Sequence, residues 1–160
     1  MSNTEGIVIN AATETADFEG AKRLFIAYQQ FLGEDLCFQG FNEELQQIPS
    51  MYAPPNGYLL LAKKGTDFVG CVAFRFKATG ICEMKRLYVR DDFKQAGLGR
   101  LLVEKIIAVA KKEGYKKMIL DTLERLSPAL RLYQSIGFKK ISPYYSNPLK
   151  GVVFMELILK

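Results

Sequence analysis

The sequence contains no histidine and no tryptophan, and its three cysteines, Cys37, Cys71 and Cys82, form no Cys-x-x-Cys pair. Without histidine, every Ser-His or Cys-His nucleophile arrangement is excluded. A zinc site would have to use cysteine and carboxylate alone, so we expect no metal. Any catalysis must therefore use carboxylate, tyrosine, cysteine, lysine or backbone groups.

Long apolar runs are also missing. The longest, residues 58–62 and 106–110, contain about five residues, whereas a membrane-spanning helix needs roughly 20. The first ten residues, MSNTEGIVIN, lack a basic segment followed by an apolar stretch, so we expect no signal peptide. Together with the low cysteine count, this favours a cytoplasmic protein with no membrane partner.

The chain is of the size and composition of one soluble domain, spanning residues 1–160. Of its 160 residues, 49% are hydrophobic and 24% are charged, which is the balance of a globular protein with its own core. The net charge of +5 is spread along the chain, with lysine pairs at 111–112, 116–117 and 139–140. Because no basic block is present, we expect no nucleic-acid partner.

Hydrophobic periodicity and turn residues predict the element order β-α-α-β-β-β-α-β-α-β-β. The short connections between residues 57 and 89 imply an antiparallel meander. The predicted fold is α/β of the mixed α+β kind, with a central, mostly antiparallel sheet of about seven strands flanked on both faces by about four helices. Strands are predicted at residues 7–10, 57–64, 68–77, 81–89, 117–122, 138–145 and 151–159. Helices are predicted from a cap at Asp17 to Gly33, from about residue 42 to before Pro49, at residues 97–113, and from a cap at Ser127 to Gly137. Residues 49–57 are predicted to be irregular.

The stretch KQAGLGRLL, residues 94–102, places two glycines ahead of an apolar helical pattern. The first N–H groups of a helix have no partner within it and carry partial positive charge. Gly97 and Gly99 would let a diphosphate approach these groups, with Lys94 and Arg100 adding charge, or they merely permit a turn. A dinucleotide fingerprint would need glycine where Leu102 stands, and no Walker loop is present.

Two segments together resemble the GNAT (GCN5-related) N-acetyltransferase superfamily. Residues 82–102, CEMKRLYVRDDFKQAGLGRLL, are similar to its acetyl-coenzyme A motif, a strand ending in valine, a loop, then Arg/Gln-x-x-Gly-x-Gly/Ala. Residues 127–138, SPALRLYQSIGF, are similar to its second signature, a helix with Leu-Tyr followed by Gly-Phe. The chain departs from the pattern at Lys94, which keeps the charge of arginine but loses its planar fork.

The resemblance implies transfer of an acetyl group from acetyl-CoA to a primary amine by direct attack in a ternary complex. It places the pyrophosphate on the N–H groups of residues 95–100 and the pantetheine arm along the main chain of the fourth strand. The N–H of Leu87 would then support the oxyanion. The cofactor-binding residues that it implies are Leu87, Tyr88, Val89, Lys94, Gln95, Ala96, Gly97, Leu98, Gly99, Arg100 and Tyr133.

The same resemblance gives two catalytic candidates. Tyr133, in the Leu-Tyr of the second signature, would protonate the leaving thiolate. Glu83 would be the base, since strand alternation places it on the same face as Leu87. A structural pair of Glu83 with Lys85 and deprotonation through a chain of waters remain alternatives, and Cys82, on the opposite face, is expected to be a core residue.

The motifs do not fix the acceptor, which depends on residues 33–56 and 142–151. Tyr144, Tyr145 and Asn147 either shape a small pocket or are ordinary hairpin residues. A small-metabolite amine is expected, with a protein lysine, an N-terminal amine, a longer acyl donor or a non-catalytic CoA-binding sensor as alternatives.

Three arginines, Arg75, Arg86 and Arg131, are candidates to attract a carboxylate on the acceptor, with surface solvation as the alternative. Asp121 has no predicted role. A homodimer formed through the last strands is left open.

Overall fold

The computed structural model describes residues 5–160, apart from the side chains of Gln95 and Ala96. Seven strands form one sheet in the order β1-β2-β3-β4-β5-β7-β6. The strands are β1 (Ile7–Ala11), β2 (Gly57–Lys64), β3 (Asp67–Ala78), β4 (Ile81–Val89), β5 (Lys117–Leu123), β6 (Lys139–Ile141) and β7 (Val152–Ile158). The helices are α1 (Thr15–Leu32), α2 (Phe41–Gln46), α3 (Ile48–Met51), α4 (Leu98–Lys112) and α5 (Ser127–Ile136), and Cys37–Gln39 and Asp91–Ala96 form 3-10 turns.

Five of the six strand pairs are antiparallel, and only β4 and β5 run parallel. This confirms the predicted mixed, mostly antiparallel sheet. The parallel ladder begins at Ile81 opposite Lys117 and ends at Glu83 opposite Ile119. Beyond this last pair the two strands diverge, which opens a gap inside the sheet.

A β-bulge interrupts β4 at Arg86. Cys71 of β3 faces Tyr88, whereas Ala73 faces Lys85, so β4 has one extra residue over this interval. Arg86 has a φ of 62°, a left-handed conformation that costs a non-glycine residue about 1–2 kcal/mol. A bulge of this kind shifts the alternation of side chains that follow it.

The bulge makes one sequence prediction wrong. Leu87 packs against the apolar cluster that contains Met84 and Val89, under α4, whereas Glu83 lies on the opposite face, across from Arg75. Glu83 and Leu87 therefore do not share a face, because the extra residue reverses the alternation between them.

The sheet separates two apolar clusters, and β2 shows the alternation that builds them. Leu60 and Ala62 face the cluster under α4 and α5, and Leu59 and Leu61 face the cluster under α1 to α3. Helix α4 packs its buried stripe on the first face: Leu98, Leu102, Val103, Ile106, Ile107 and Ala110. The predicted arrangement with helices on both faces is confirmed.

The ends of several elements differ from the predictions. Helix α1 has Glu14 as its N-cap, and Asp17 lies inside the first turn, where its Oδ2 accepts hydrogen bonds from the N–H groups of Thr13 and Glu14 at 3.0 and 3.1 Å. Ser127 is likewise the first residue of α5 and not its cap. A capping-box acid three residues into a helix is easily mistaken for the cap itself.

One irregular segment and one strand were also predicted with the wrong length. The segment predicted as irregular after Pro49 begins with the helical turn α3, because proline is well tolerated in the first turn of a helix. Strand β6 ends at Ile141, far short of the predicted residue 145. Pro143 follows two residues later and has no N–H to donate to a strand ladder.

Within residues 5–160, no helix combines the length and hydropathy needed to cross a membrane. Over the same range, no three His, Cys, Asp or Glu side chains gather as metal ligands would. Cys82 packs under α4, on the face opposite Glu83, as predicted. Burial raises the pKa of the Cys71 and Cys82 thiols to about 12, so neither is a ready nucleophile.

Candidate active site

Two adjoining cavities occupy the gap where β4 and β5 diverge. An outer groove of about 370 Å³ lies between the end of β4, the start of α4, α1 and α5. An inner cavity of about 80 Å³ lies deeper, between the diverging parts of β4 and β5. Both are lined by Tyr28, Leu32, Leu87, Leu126 and Ala129, so they form one path that leads from the surface into the sheet.

The predicted glycine turn forms one end of the outer groove. Gly97 has a φ of 78° and is the N-cap of α4, and Gly99 lines the groove in the first turn. Leu98 is fully buried, so it can present only its main chain to a ligand. The backbone of Gln95 and Ala96 ends the preceding 3-10 turn, and their side chains are outside the described part. The turn therefore presents the amide-rich start of a helix to the groove.

Lys94 and Arg100 stand at the rim of the outer groove. The Nζ of Lys94 lies 2.8 Å from Asp91 Oδ1 and 3.6 Å from the centre of the Phe31 ring. Arg100 Nη2 donates to Ser135 Oγ at 2.5 Å. Both cations are partly exposed, and exposed pairs of this kind are weak, so both side chains can turn toward an anion at small cost.

The end of β4 supplies the long wall of the outer groove. Leu87, Tyr88 and Val89 line it, beyond the point where the ladder with β5 ends. The Tyr88 ring packs edge-on against Tyr28 of α1, with centroids 6.4 Å apart. The main chain of β4 that faces β5 is therefore left without a strand partner and is accessible from the groove.

Tyr133 of α5 lines the inner cavity, where it is 6% exposed. Its ring packs edge-on against Phe138, with centroids 5.7 Å apart. Burial raises the pKa of the Tyr133 hydroxyl well above its usual range. The hydroxyl is therefore protonated at neutral pH, and burial makes it hold that proton more tightly than an exposed tyrosine does.

Glu83 is buried next to the cavity but does not line it. Its Oε1 accepts a hydrogen bond from Arg75 Nε at 2.8 Å, and its Oε2 accepts one from Tyr144 Oη at 2.6 Å. Burial raises the pKa of Glu83, but the charge of Lys85 and these two hydrogen bonds outweigh it and hold the pKa below its usual value. The ion-pair partner of Glu83 is thus Arg75, where the sequence suggested Lys85.

Asp121 of β5, which had no predicted role, lines the inner cavity. Its Oδ2 accepts hydrogen bonds from Tyr145 Oη and from Asn147 Nδ2, the latter at 3.0 Å. Of the three side chains that the sequence offered for a pocket, Asn147 lines the cavity, whereas Tyr144 and Tyr145 do not line it and donate hydrogen bonds to Glu83 and Asp121. A signal was present in the sequence, because a carboxylate within the apolar strand MILDTL is costly unless it has partners or a function.

A second buried ion pair closes the cavity on the side of α2. Arg86 donates from Nη2 and Nε to the two carboxylate oxygens of Glu44 at 2.8 and 2.9 Å. Arg86 Nη1 also donates to Gln39 Oε1 at 3.0 Å, and Gln39 Nε2 donates to Tyr145 Oη at 3.0 Å. Because Glu44 already binds the guanidinium in this bidentate way, Arg86 is not a free cation for an acceptor.

Lys85 also lines the inner cavity and is buried. It makes no ion pair with any carboxylate in the part of the chain that the structure describes. Burial first, and then the neighbouring charge of Arg86, lower the pKa of Lys85 from its usual value of 10.5 to about 8. The sequence had offered Lys85 only as a partner of Glu83.

Lys85→Met is expected to raise the free energy of unfolding at pH 7 by about 3 kcal/mol, since each pKa unit corresponds to about 1.4 kcal/mol. The folded chain holds the Lys85 proton less tightly than the unfolded chain. Below pH 8 the full cost of burying the charge is present, and stability recovers as the pH rises from about 8 to 10.5. Urea unfolding at pH 7 and pH 10 measures both effects.

The quantity to follow is the difference in unfolding free energy between Lys85→Met and the original chain at each pH. Groups that titrate alike in both chains do not contribute to this difference. The gap in stability should close between pH 8 and 10.5, because the neutral lysine of the original chain then resembles methionine. Lys139→Met, at an exposed position of β6, is the control and should show neither effect. A variant that is less stable than the original chain at pH 7 would contradict the prediction.

Comparisons with known proteins agree with this geometry. Residues 21–138 match the sequence profile described as "Acetyltransferase (GNAT) family". The chain is 46% identical over 160 residues to an uncharacterised N-acetyltransferase of Schizosaccharomyces pombe, with 98% of each chain covered. This degree of identity over the full length supports the same family independently of the two motifs.

Solved structures give the same fold at lower identity. An acetyltransferase of Streptococcus agalactiae has a TM-score of 0.82 at 20% identity and covers 97% of this chain and 99% of its own. A Salmonella typhimurium structure, solved with its cofactor acetyl-CoA, has a TM-score of 0.69 at 18% identity and covers 97% and 95%. The profile match over most of the chain, the relative at 46% identity and the shared fold confirm the resemblance predicted from the motifs, and the chain belongs to the GNAT family of acetyltransferases.

Proposed function

We propose that this acetyltransferase moves an acetyl group from acetyl-CoA to the primary amine of a small metabolite. The observation that carries the proposal is the path from the amide-rich start of α4, along the open edge of β4, to the inner cavity that shares five lining residues with the outer groove. A structure of the same fold holds acetyl-CoA. No metal takes part in the proposed reaction.

The donor would bind in the outer groove through groups of three kinds. The N–H groups of residues 95–100 hold the pyrophosphate at the start of α4, with Lys94 and Arg100 at its rim. The pantetheine arm pairs with the main chain of Leu87, Tyr88 and Val89. The thioester then reaches the inner cavity, where the Leu87 N–H supports the oxyanion.

Tyr133 is proposed as the acid that protonates the leaving thiolate. Its buried hydroxyl, with a raised pKa, lines the inner cavity in which the thioester would end. For the base, the contacts favour Asp121 over Glu83. All hydrogen bonds of Asp121 in the described residues fall on Oδ2, which leaves Oδ1 to face the amine, whereas Glu83 has both oxygens engaged.

The choice of base is tested with Glu83→Gln and Asp121→Asn. Glu83→Gln keeps the shape of the side chain and is expected to lower kcat by less than about tenfold, because proton transfer by a positioned base contributes 10²–10⁴-fold and Glu83 is not assigned that role. Asp121→Asn at the same pH should be the slower enzyme. The reverse order would return the role of base to Glu83.

The function as a whole is tested by acetyl-CoA consumption against a panel of primary amines, with coenzyme A binding measured separately by calorimetry. Binding without turnover on any amine would favour a sensor of coenzyme A. The donor is tested by comparing how well acetyl and longer acyl thioesters raise the unfolding temperature, since tighter binding to the folded chain raises it more.

Gly99→Ala is expected to stabilise the chain and weaken donor binding at the same time. A methyl group here would meet only Leu132 Cδ2 at 3.8 Å, an ordinary contact. In a helix, alanine is favoured over glycine by up to about 1 kcal/mol. The methyl would, however, stand in the groove beside the proposed pyrophosphate, and we expect coenzyme A to bind about tenfold more weakly, or about 1.4 kcal/mol.

Thermal unfolding and calorimetry measure the two effects on one sample of Gly99→Ala. Lys105→Ala, at an exposed position on the same helix, is the control and should leave coenzyme A binding unchanged. If Gly99→Ala bound coenzyme A as tightly as the original chain, the diphosphate would not lie on this turn.

A further inference from the structure

The walls of the inner cavity carry two opposite charges, one on each of the diverging strands. The last parallel pair is Glu83 with Ile119. Lys85 and Asp121 each follow that pair by two residues, so both lie on the same face of the sheet as Glu83 and Ile119. Both line the inner cavity.

Neither charge is neutralised by an opposite charge in the part of the chain that the structure describes. Asp121 accepts hydrogen bonds only from the uncharged groups of Tyr145 and Asn147. Lys85 lies among charges that are already paired with one another, Glu83 with Arg75 and Glu44 with Arg86. The cavity thus presents one available cation and one available anion.

A buried cation without a counter-charge destabilises the folded chain. Lys85 makes no ion pair of its own, and the attraction of Glu83 and Glu44 offsets the cost of its burial only in part. A methionine or leucine would fill the same space at lower cost. The unpaired charge is explained if the missing counter-charge comes with a ligand.

The dimensions of the inner cavity limit that ligand. Its volume of about 80 Å³ holds about five to eight water-sized groups at roughly 10–15 Å³ each. Apart from the polar groups already named, its walls are mainly leucine side chains. The space suits a small molecule with a short apolar part.

We propose that the acceptor is a small aminocarboxylate, whose carboxylate binds the Lys85 ammonium and whose amine lies against Asp121. This inference rests on the proposed function for the donor and the reaction. In the reaction, the amine nitrogen bonds to the acetyl carbonyl carbon and the C–S bond breaks. The acceptor attacks as the neutral amine, and its nitrogen then gives one proton to Asp121. The coenzyme A thiolate takes a proton from Tyr133, and exchange with solvent returns both side chains to their starting protonation states.

The test compares matched acceptors on the full chain with saturating acetyl-CoA. The pairs are leucine with 3-methylbutylamine, β-alanine with ethylamine, and glycine with methylamine, and leucinamide is the uncharged analogue of leucine. The best aminocarboxylate is expected to exceed its carboxylate-free partner and its amide in kcat/KM by about tenfold or more. Equal or faster turnover of the carboxylate-free amines, or of long polyamines, would overturn the proposal.

Lys85→Met tests the residue itself. We expect the preference for the aminocarboxylate, taken as the ratio of its kcat/KM to that of the carboxylate-free amine, to fall at least tenfold, mainly through a higher KM for the aminocarboxylate. Lys139→Met is the control and should keep the preference. If Lys85→Met lowered kcat/KM equally for the aminocarboxylate and for its carboxylate-free partner, Lys85 would only support the fold, and the proposal would be wrong.

Failure of the proposed function and failure of this inference give different results. Calorimetry with coenzyme A already bound measures aminocarboxylate binding without turnover. Binding that depends on Lys85 but leads to no acetyl transfer would sustain this inference and refute the function. Turnover of carboxylate-free amines with a kcat/KM equal to or above that of the aminocarboxylates would do the opposite. If no aminocarboxylate binds or reacts, the inference is overturned whatever the donor does.

Discussion

Replacing Tyr133 by phenylalanine is expected to lower kcat by about 10²–10⁴-fold, the usual contribution of a positioned acid. The hydroxyl is buried in the inner cavity and its raised pKa keeps it protonated. Without it, the thiolate must leave as an anion or take a proton from solvent. Thiol release under saturating donor and acceptor measures the change in kcat.

Measuring coenzyme A binding by the Tyr133→Phe variant distinguishes a role of Tyr133 as the acid from a role in packing. Tyr133→Phe keeps the ring that packs on Phe138, so calorimetry should give nearly the original affinity. Tyr115→Phe is the matched control, since it removes the hydroxyl of a tyrosine that packs on Phe74, in neither cavity, and it should leave kcat unchanged. A Tyr133→Phe enzyme with its original kcat would remove Tyr133 from the mechanism.

Glu44→Gln is expected to cost about 3–5 kcal/mol of unfolding free energy, because it leaves the Arg86 cation buried without a counter-charge. Only 2% of the Glu44 side chain and 3% of the Arg86 side chain are exposed. The total stability of a domain is only about 5–15 kcal/mol, so the loss is a large share of it. Urea unfolding at pH 7 measures the loss.

A double variant distinguishes a costly unpaired charge from a pair that is favourable in itself. Glu44→Leu with Arg86→Met removes both charges, and we expect it to regain most of the stability that Glu44→Gln loses. Asp92→Asn is the exposed control, since it breaks the surface pair with Arg90 at a cost below about 1 kcal/mol. A loss from Glu44→Gln as small as that of the control would contradict the prediction.

The sequence was sufficient to predict the order of the elements and the type of sheet, because these depend on local periodicity and on short connections. Strands β2 and β4 were predicted to the residue. The bulge at Arg86 was not predicted. It depends on the register between β3 and β4 and on the buried pairing of Arg86 with Glu44, 42 residues away, and neither leaves a local pattern.

The site was predictable to the extent that motifs encode main-chain geometry. The glycine turn, the end of β4 and Tyr133 border the two joined cavities, as the motifs led us to expect. The role of Asp121 was missed, because its neighbours Tyr145 and Asn147 come from a loop more than 20 residues away. Acceptor sites assembled from distant loops leave only the weak signal of a charge inside an apolar strand.

The early end of the β4–β5 ladder has a consequence for solubility. Unpaired strand edges at the perimeter of a sheet invite other chains to add a strand and promote aggregation. Here the unpaired edge of β4 lies inside the sheet, walled by Tyr28 of α1 and Ala129 of α5. A narrow extended ligand can enter this slot, whereas a foreign strand with its side chains cannot. The open backbone groups of β4 are thus available to a ligand without adding a further exposed edge to those of β1 and β6.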